Sequence, residues 1–466
     1  MILQQFYLSC LSQASYLIAD EESGRAVVVD PRRDVDQYLV AAGEHGLRIV
    51  MVLLTHVHAD FVPGHTELAE RTGAEIAMSE RAPVDFPMRG LSDGEVINLG
   101  DPETGVSITA IATPGHTPES ITFAVREHAA DADPTALLTG DTLFIGDVGR
   151  PDLLGAAGRT PEEMARELYR SLRERIMPLP DGVKIYPAHG AGSACGKALS
   201  SATVSTLGEQ RAQNYALAEM TEDAFVTAVT DGLGEPPAYF EQEVAVNRAG
   251  HSSFDESAEI PKVSADEAVR RQRAGSLLLD VRDDQMYAAG HLTCSVNVGL
   301  SGRFAEFAAA VRAPDQSVVL VGAPAEVAEA RLRLARVGID TVDGVFTDLH
   351  ELVTSSDLTS TQSRLTVSQA ADAMAGVDSL QIVDVRGPGE FADGALPGAV
   401  NLPLPRLRTS MDKLDKKRPV LVNCAGGYRS SAAASLLRSA GFTDVSDLLG
   451  GWNAWQADRH STMEKA

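Results

Sequence analysis

The chain has 466 residues, 44% hydrophobic and 23% charged, enough for roughly three domains of about 150 residues with real cores. Its 40 basic and 65 acidic residues leave a formal charge of −25, which repels phosphate backbones and argues against nucleic acid as a partner. No apolar run reaches about 18 residues, so no membrane span is expected. The start, MILQQFYLSC, lacks the basic region and apolar core of a signal peptide. Cys10, Cys195, Cys294 and Cys424 form no C-x-x-C pair. That argues against a disulfide framework or a structural zinc site, and for a reducing cytoplasm.

Residues 1–205 alternate short apolar runs with turn signals. RAVVVD and IVMVLLT predict buried strands. TPEEMARELYRSLRERI predicts a helix, with Thr160 as N-cap, Pro161 in the first turn and Glu163 three residues after the cap. Four groups here are of metal-ligand type: His56, His58 and Asp60 in THVHAD, His116 in TPGHTPES, Asp141 in TGDTLF and His189 in PAHG. Each follows an apolar, strand-like run. Loops after strands converge on one edge of an α/β sandwich, so distant residues can share a site. A lone histidine would more often be structural; the set together predicts a metal.

The run of motifs THVHAD, GH, GD and H resembles the metallo-β-lactamase superfamily. The resemblance implies an N-terminal αββα sandwich over 1–205. In binuclear members such as glyoxalase II, a histidine follows the aspartate of the first cluster and serves the second metal. Phe61 stands there and cannot ligate. His65, four residues on, reads as a helix-start residue. One metal is therefore expected, and the resemblance narrows to the persulfide dioxygenases. It implies a single Fe(II) held by His56, His116 and Asp141, with His58 outside the ligand set. Asp60 and His189 lie near that metal and leave a weak second position open. Two histidines and a carboxylate with open positions suit non-haem iron and O₂; zinc can take such ligands in recombinant protein.

GDVGRPDL resembles a run that this branch carries after the metal aspartate, which would place Arg150 and Asp152 beside the substrate. Arg150 either pairs with a substrate carboxylate or closes on Asp152 and only shapes the loop. Cys195, in HGAGSACGK, reads as a small buried residue. By resemblance to bacterial fusions of such dioxygenases with rhodanese units, it reads equally as a sulfur carrier. Cys10 and Cys294 read as structural.

Residues 206–260 are polar, mostly helical and then loose, and read as a helical connector. An internal repeat follows. LLLDVRDDQMYAAGHLTCSVNVGL and LQIVDVRGPGEFADGALPGAVNLPL carry Asp280 and Asp384, each with a glycine 10 residues on and an asparagine 17 residues on. Two α/β units with parallel sheets are expected, at 261–355 and 362–460, joined by the polar linker TSSDLTSTQS. They differ where chemistry would sit: Ala323 and Ala328 align with Cys424 and Arg429.

CAGGYRS, Cys424 to Ser430, lies between a strand and a helix. A thiol there faces backbone N–H groups at a helix N-terminus, which favour thiolate. Gly426 and Gly427 let the loop curl, and Arg429 adds charge for an anionic sulfur donor or acceptor. Cys-x4-Arg resembles the rhodaneses, which carry a persulfide on this cysteine; related phosphatase loops are one residue longer. DVRGPGEF, with Asp384, Arg386 and Glu390, resembles the rhodanese signature upstream. Ala395 departs from it, where a histidine is common. By resemblance Cys424 and Arg429 are catalytic, Gly426, Gly427 and Tyr428 bind substrate, and the first unit is inactive.

The whole resembles persulfide dioxygenase–rhodanese fusions of sulfide detoxification. That implies low-molecular-weight persulfide, O₂ and a sulfite or thiol acceptor as partners, no membrane, and a homo-oligomer (dimer or tetramer). A zinc-dependent, glyoxalase II-like thioester hydrolase fused to a sulfurtransferase is the alternative, with Phe61 against it. A non-enzymatic sulfur carrier is a third reading, opposed by the intact His56, His116 and Asp141.

Overall fold

The computed structural model describes residues 1–153, 158–197, 199–234, 236–237, 239–354 and 356–463. It divides into two compact units. One comprises Met1–Pro236 and Phe240–Phe254; the other comprises Pro237–Tyr239 and Asp255 to the end of the described chain.

In the first unit two six-stranded sheets stack face to face. One begins as an antiparallel meander (Ile2–Leu8, Gln13–Asp20, Arg25–Val29) and continues in parallel through Arg48–Leu53, Glu75–Ser79 and Arg89–Leu91. The other holds Ala136–Gly140 and Lys184–Pro187 in parallel among antiparallel neighbours. The facing sides bury Tyr16, Ile18, Val27 and Leu53 of one sheet against Ile108, Phe123, Val125 and Leu138 of the other. Helices Asp36–Glu44 and His65–Thr72 cover one outer face, burying Tyr38, Ala41 and Leu68 against Leu17, Val28 and Val52. Pro161–Arg170 covers the other. This is an αββα sandwich, because each sheet has two apolar faces to bury.

The Thr160–Glu163 capping box forms as the sequence indicates. The helix differs at its far end: it is α-helical to Arg170 and winds as a π-helix over Ser171–Ile176. Helices Leu207–Gln213 and Glu222–Thr230 bury Leu207, Phe225 and Val229 against the second sheet. Val244, on the helix Phe240–Ala249, packs with Leu54, Val57 and Met78 near the loop after Arg48–Leu53. The helical stretch is thus built into the first unit as far as Phe254.

The second unit contains the repeat as two parallel sheets, of four and five strands. The copies share one hydrogen-bonded scaffold. Arg282 pairs with Asp280 and donates to the Gly290 carbonyl; Arg386 pairs with Asp384 and donates to the Gly394 carbonyl. Asn297 Nδ2 donates to Asp280 O and Arg282 O at 3.1 and 2.8 Å; Asn401 Nδ2 donates to Asp384 O and Arg386 O at 3.1 and 2.9 Å. Thr359 and Ser360 of the linker pair as a strand with Leu292 and His291.

Candidate metal centre and thiol loop

Strands Arg25–Val29, Arg48–Leu53, Ser107–Ala112, Ala136–Gly140 and Lys184–Pro187 end near one edge of the sandwich. The loops after them bring Asp30, His56, His116, Asp141 and His189 together, all at most 2% exposed. One ligand atom each from His56, His116 and Asp141 lie within 4.8 Å of one another.

The surroundings fix which ring atoms face inward. Asp30, in a left-handed conformation (φ 49°), accepts from Thr55 N at 2.9 Å and Thr55 Oγ1 at 2.8 Å. The Thr55 oxygen is then free to accept from His56 Nδ1, 2.9 Å away. His116 Nδ1 donates to the Arg150 carbonyl at 2.8 Å. Each histidine thus keeps Nε2 as a lone pair for a metal, the usual task of such outer partners. Gly149 is obligatory, since a Cβ there would collide with Asp141 O and the His116 ring.

Charge agrees with this tautomer assignment. Burial, then His58, holds His56 well below the ordinary histidine range, so it is a neutral ligand. Burial opposes ionisation of Asp141, but His189 and His116 outweigh it and hold the carboxyl well below its usual range. His189 Nδ1 donates to Asp141 Oδ1 at 2.8 Å. Burial opposes charge on His189 too, but Asp141 and Asp60 raise it well above the ordinary value. His58 Nδ1, Asp60 Oδ1, Asp141 Oδ2 and His189 Nε2 are buried without a hydrogen-bond partner. Orphaned groups of this kind cost about 1–3 kcal/mol each, and a cation would satisfy them. The residues present fit a metal.

His58 belongs to the support: its Nε2 lies 3.0 Å from Asp30 Oδ1. Phe61 is buried, its ring 4.4 Å from that of His58. His65 opens its helix and bonds through Nδ1 to Pro63 O. Cys195 is buried, and burial, then Asp60 and Asp141, pushes its thiol well above the ordinary range.

Arg150 is engaged within its own surroundings. Its guanidinium grips Asp152 at 2.6 and 2.8 Å and donates to Ala194 O and Gly234 O. Four of its five N–H groups are thereby engaged. The charge is balanced inside the loop, while the backbone carbonyl of the same residue orients His116.

Sequence reasoning missed several supports. Asp30 was within view, as the last residue of RAVVVD, and Glu119, whose Oε1 accepts from Val57 N at 3.0 Å, lies in TPGHTPES. Asn247 gave no signal, yet its Nδ2 donates to both His58 O and Phe61 O at 2.8 Å.

In the second unit, strand Val420–Asn423 leads into the thiol loop and helix Tyr428–Ser439 leaves it. Cys424 is buried. Its Sγ accepts from Gly427 N at 3.1 Å and donates to Ser430 Oγ at 3.4 Å. Gly427 has φ 109°, a left-handed value that favours glycine, while Gly426 is exposed. Arg429 makes a two-pronged ion pair with Glu390 at 2.7 and 2.8 Å, and that pairing lowers the Glu390 pKa. Tyr428 reaches into the first repeat and donates to Gly299 O at 2.6 Å. In the first repeat no such cup forms, because helix Pro324–Ala335 begins directly after Ala323.

Family models match this architecture: the metallo-β-lactamase superfamily over residues 8–189, and the rhodanese-like domain over 264–347 and 366–458. A "probable metallo-hydrolase" of Burkholderia pseudomallei is 33% identical over 287 residues, which is 54% of this chain and 93% of that protein. The chain belongs to the metallo-β-lactamase superfamily. Its superfamily domain is followed by two rhodanese-like domains. The mitochondrial persulfide dioxygenase of Homo sapiens is 30% identical over 227 residues, covering 48% of this chain and 78% of the human protein. A crystal structure of a metallo-β-lactamase from Staphylococcus aureus is similar with a TM-score of 0.66 at 32% identity, over 74% of this chain and 98% of that one.

Proposed function

We propose that the protein oxidises low-molecular-weight persulfides to sulfite with O₂ and transfers sulfane sulfur through Cys424, with thiosulfate as a product. The observation that carries this reading is the pair of histidines, His56 and His116, locked by Thr55 and Arg150 O with Nε2 inward beside Asp141. It is supported by the similarity to a persulfide dioxygenase over most of that relative's length.

His56, His116 and Asp141 would hold one catalytic Fe(II), which when bound supplies open positions for O₂ and a sulfur ligand. Thr55 and Asp30 keep His56 in orientation, and His189 keeps Asp141 in orientation. Phe61 and the apolar residues around it keep the pocket dry, and Arg150 holds the loop that orients His116. The balance is R–S–SH + O₂ + H₂O → R–SH + HSO₃⁻ + H⁺. In the rhodanese domain, Cys424 attacks the outer sulfur of a donor and becomes Cys–S–SH while the donor leaves as thiol or sulfite. Sulfite then takes that sulfur, giving thiosulfate and restoring the thiol. Gly427 N–H stands ready to stabilise negative charge on sulfur. Tethering raises the effective concentration of one site's product at the other. Four free cysteines accord with a reducing, cytoplasmic setting.

Product analysis tests the reading. With glutathione persulfide and iron-loaded protein, Cys424→Ser is expected to release sulfite and the unaltered chain to release thiosulfate as well. Thioester cleavage by the zinc form, with no sulfite from the iron form, would replace it with the hydrolase reading.

A further inference from the structure

The two rhodanese-like repeats flank a cavity of about 270 Å³ that no step of the proposed reactions uses. The first repeat supplies Leu277, Val296 and Val311 to its apolar wall, and the second supplies Met411 and Leu436. Small-molecule sites begin near this size, at about 300 Å³. Two groups on the lining carry chemistry. Arg408, on the helix Leu404–Ser410, is exposed and makes no hydrogen bond or ion pair among the described residues. Cys294 is a free thiol, exposed where the sequence reads it as structural.

The turn that carries this thiol is built twice. Ser295 N donates to Leu292 O at 3.0 Å, and Ala399 N donates to Leu396 O at 3.1 Å. The third residue of each turn is left-handed: Cys294 at φ 66° and Gly398 at φ 75°. Both lie 14 residues after the aspartate of their repeat, Asp280 and Asp384. The second repeat has glycine, which this conformation favours, and the first holds a side chain there against the preference of the backbone. Packing does not ask for that side chain, since Cys294 is exposed. What the cysteine provides is a nucleophile on the lining of a partly apolar cavity that also holds an unpaired guanidinium.

We propose that this cavity is a modification site, where Cys294 forms a mixed disulfide with a low-molecular-weight disulfide that bears a carboxylate. The carboxylate pairs with Arg408, whose forked donors suit it, and the carbon chain lies on the apolar wall. The Cys294 thiolate attacks one sulfur of R–S–S–R. A Cys294–S–S–R bond forms, the bond between the two reagent sulfurs breaks, and the second half leaves as R–S⁻. The disulfide is the oxidant: Cys294 is oxidised, and the departing half is reduced and takes up the proton that Cys294 lost. The retained half touches both repeats. Leu436 and Ser439 set it against the last turn of the helix Tyr428–Ser439, whose first turn opens on the Cys424 loop. The site stands apart from the proposed oxidation and sulfur transfer, since it uses none of their residues.

Competition between two thiols of one chain tests this. Full-length protein carrying Cys424→Ser is treated with glutathione disulfide, which has carboxylates, or with cystamine, which has none and is cationic. Peptide mass spectrometry follows Cys294 and, as an internal reference, the half-buried Cys10. The net charge of −25 disfavours an anionic reagent overall, so a preference for one reports a local cation. The ratio of Cys294 to Cys10 modification is expected to be higher with glutathione disulfide than with cystamine. Arg408→Ala should lower the glutathione ratio about three- to fivefold, as for a partly exposed ion pair. Arg408→Lys, which keeps the charge, should retain most of it, and Cys10 should react alike in all three proteins. Equal ratios with the two reagents, a ratio unmoved by Arg408→Ala, or no modification of Cys294 would overturn the proposal; the first two would leave Cys294 a plain exposed thiol.

Discussion

His189 donates through Nδ1 to Oδ1 of Asp141 over 2.8 Å, so a residue outside the first ligand set holds the one carboxylate inside it. Removing that bond frees the carboxylate to rotate. His189→Ala is expected to weaken metal binding at His56, His116 and Asp141 about 10–100-fold. The pH dependence has a definite sign. Burial favours the protonated Asp141, and His189 is the largest influence opposing it. Without His189 the carboxyl takes up a proton at higher pH, so the acid limb of metal binding should move up. Metal titrations from pH 5 to 8 measure both effects; an unshifted acid limb would contradict this role.

Asn247 makes the next prediction. Both hydrogens of its amide hold carbonyls of the metal loop, His58 O and Phe61 O. Asn247→Ala leaves two buried carbonyls unpaired and is expected to cost about 1–3 kcal/mol of stability. It should also broaden the spectrum of bound Co(II), because the loop bearing His56 loses its brace. Asn247→Asp, which lacks the donors, should behave alike; an unchanged spectrum in both would confine Asn247 to stability.

This brace shows where the sequence stops being legible. The candidate site residues His56, His116, Asp141 and His189 could be read because each follows a strand, and strand ends are marked by apolar runs. The two-copy organisation could be read because Asp280 and Asp384 repeat their spacing to glycine and asparagine, and those residues build the same hydrogen bonds. Asn247 lies 189 residues from His58 on a polar helix, and no local pattern records a contact of that span. The charge of Arg150 and its neighbour Asp152 were visible in the sequence, whereas its carbonyl partners Ala194 and Gly234 were not. The π-helical winding after Arg170 likewise escaped a helical pattern that continues to Ile176.

In the rhodanese domain, Glu390 neutralises Arg429 in the resting structure. An anionic donor must compete for the guanidinium. Glu390→Gln is expected to lower KM for thiosulfate several-fold in cyanide-dependent sulfur transfer, while Arg429→Ala raises it and Cys424→Ser abolishes turnover. A Glu390→Gln variant with higher KM would mean that Glu390 positions Arg429 and does not compete for it.

Acid should loosen the first unit through His65. Burial, then His251, lowers its pKa to about 3 from 6.5. Below pH 6.5 the unfolded chain takes a proton that the folded one refuses, so stability falls as pH falls, levelling below about pH 3. At pH 5 the loss is about 2 kcal/mol. His65→Gln should flatten this limb in thermal unfolding between pH 7.5 and 5. Equal slopes in the two proteins would contradict it.

The central claim is that the first site consumes O₂ on a persulfide. The direct measurement is O₂ uptake by anaerobically iron-loaded protein given glutathione persulfide, beside a zinc-loaded control. Uptake with iron only, lost in His116→Ala and retained in Cys424→Ser, is the expected result. No uptake from any iron-loaded form, with thioester cleavage by the zinc form, would contradict it.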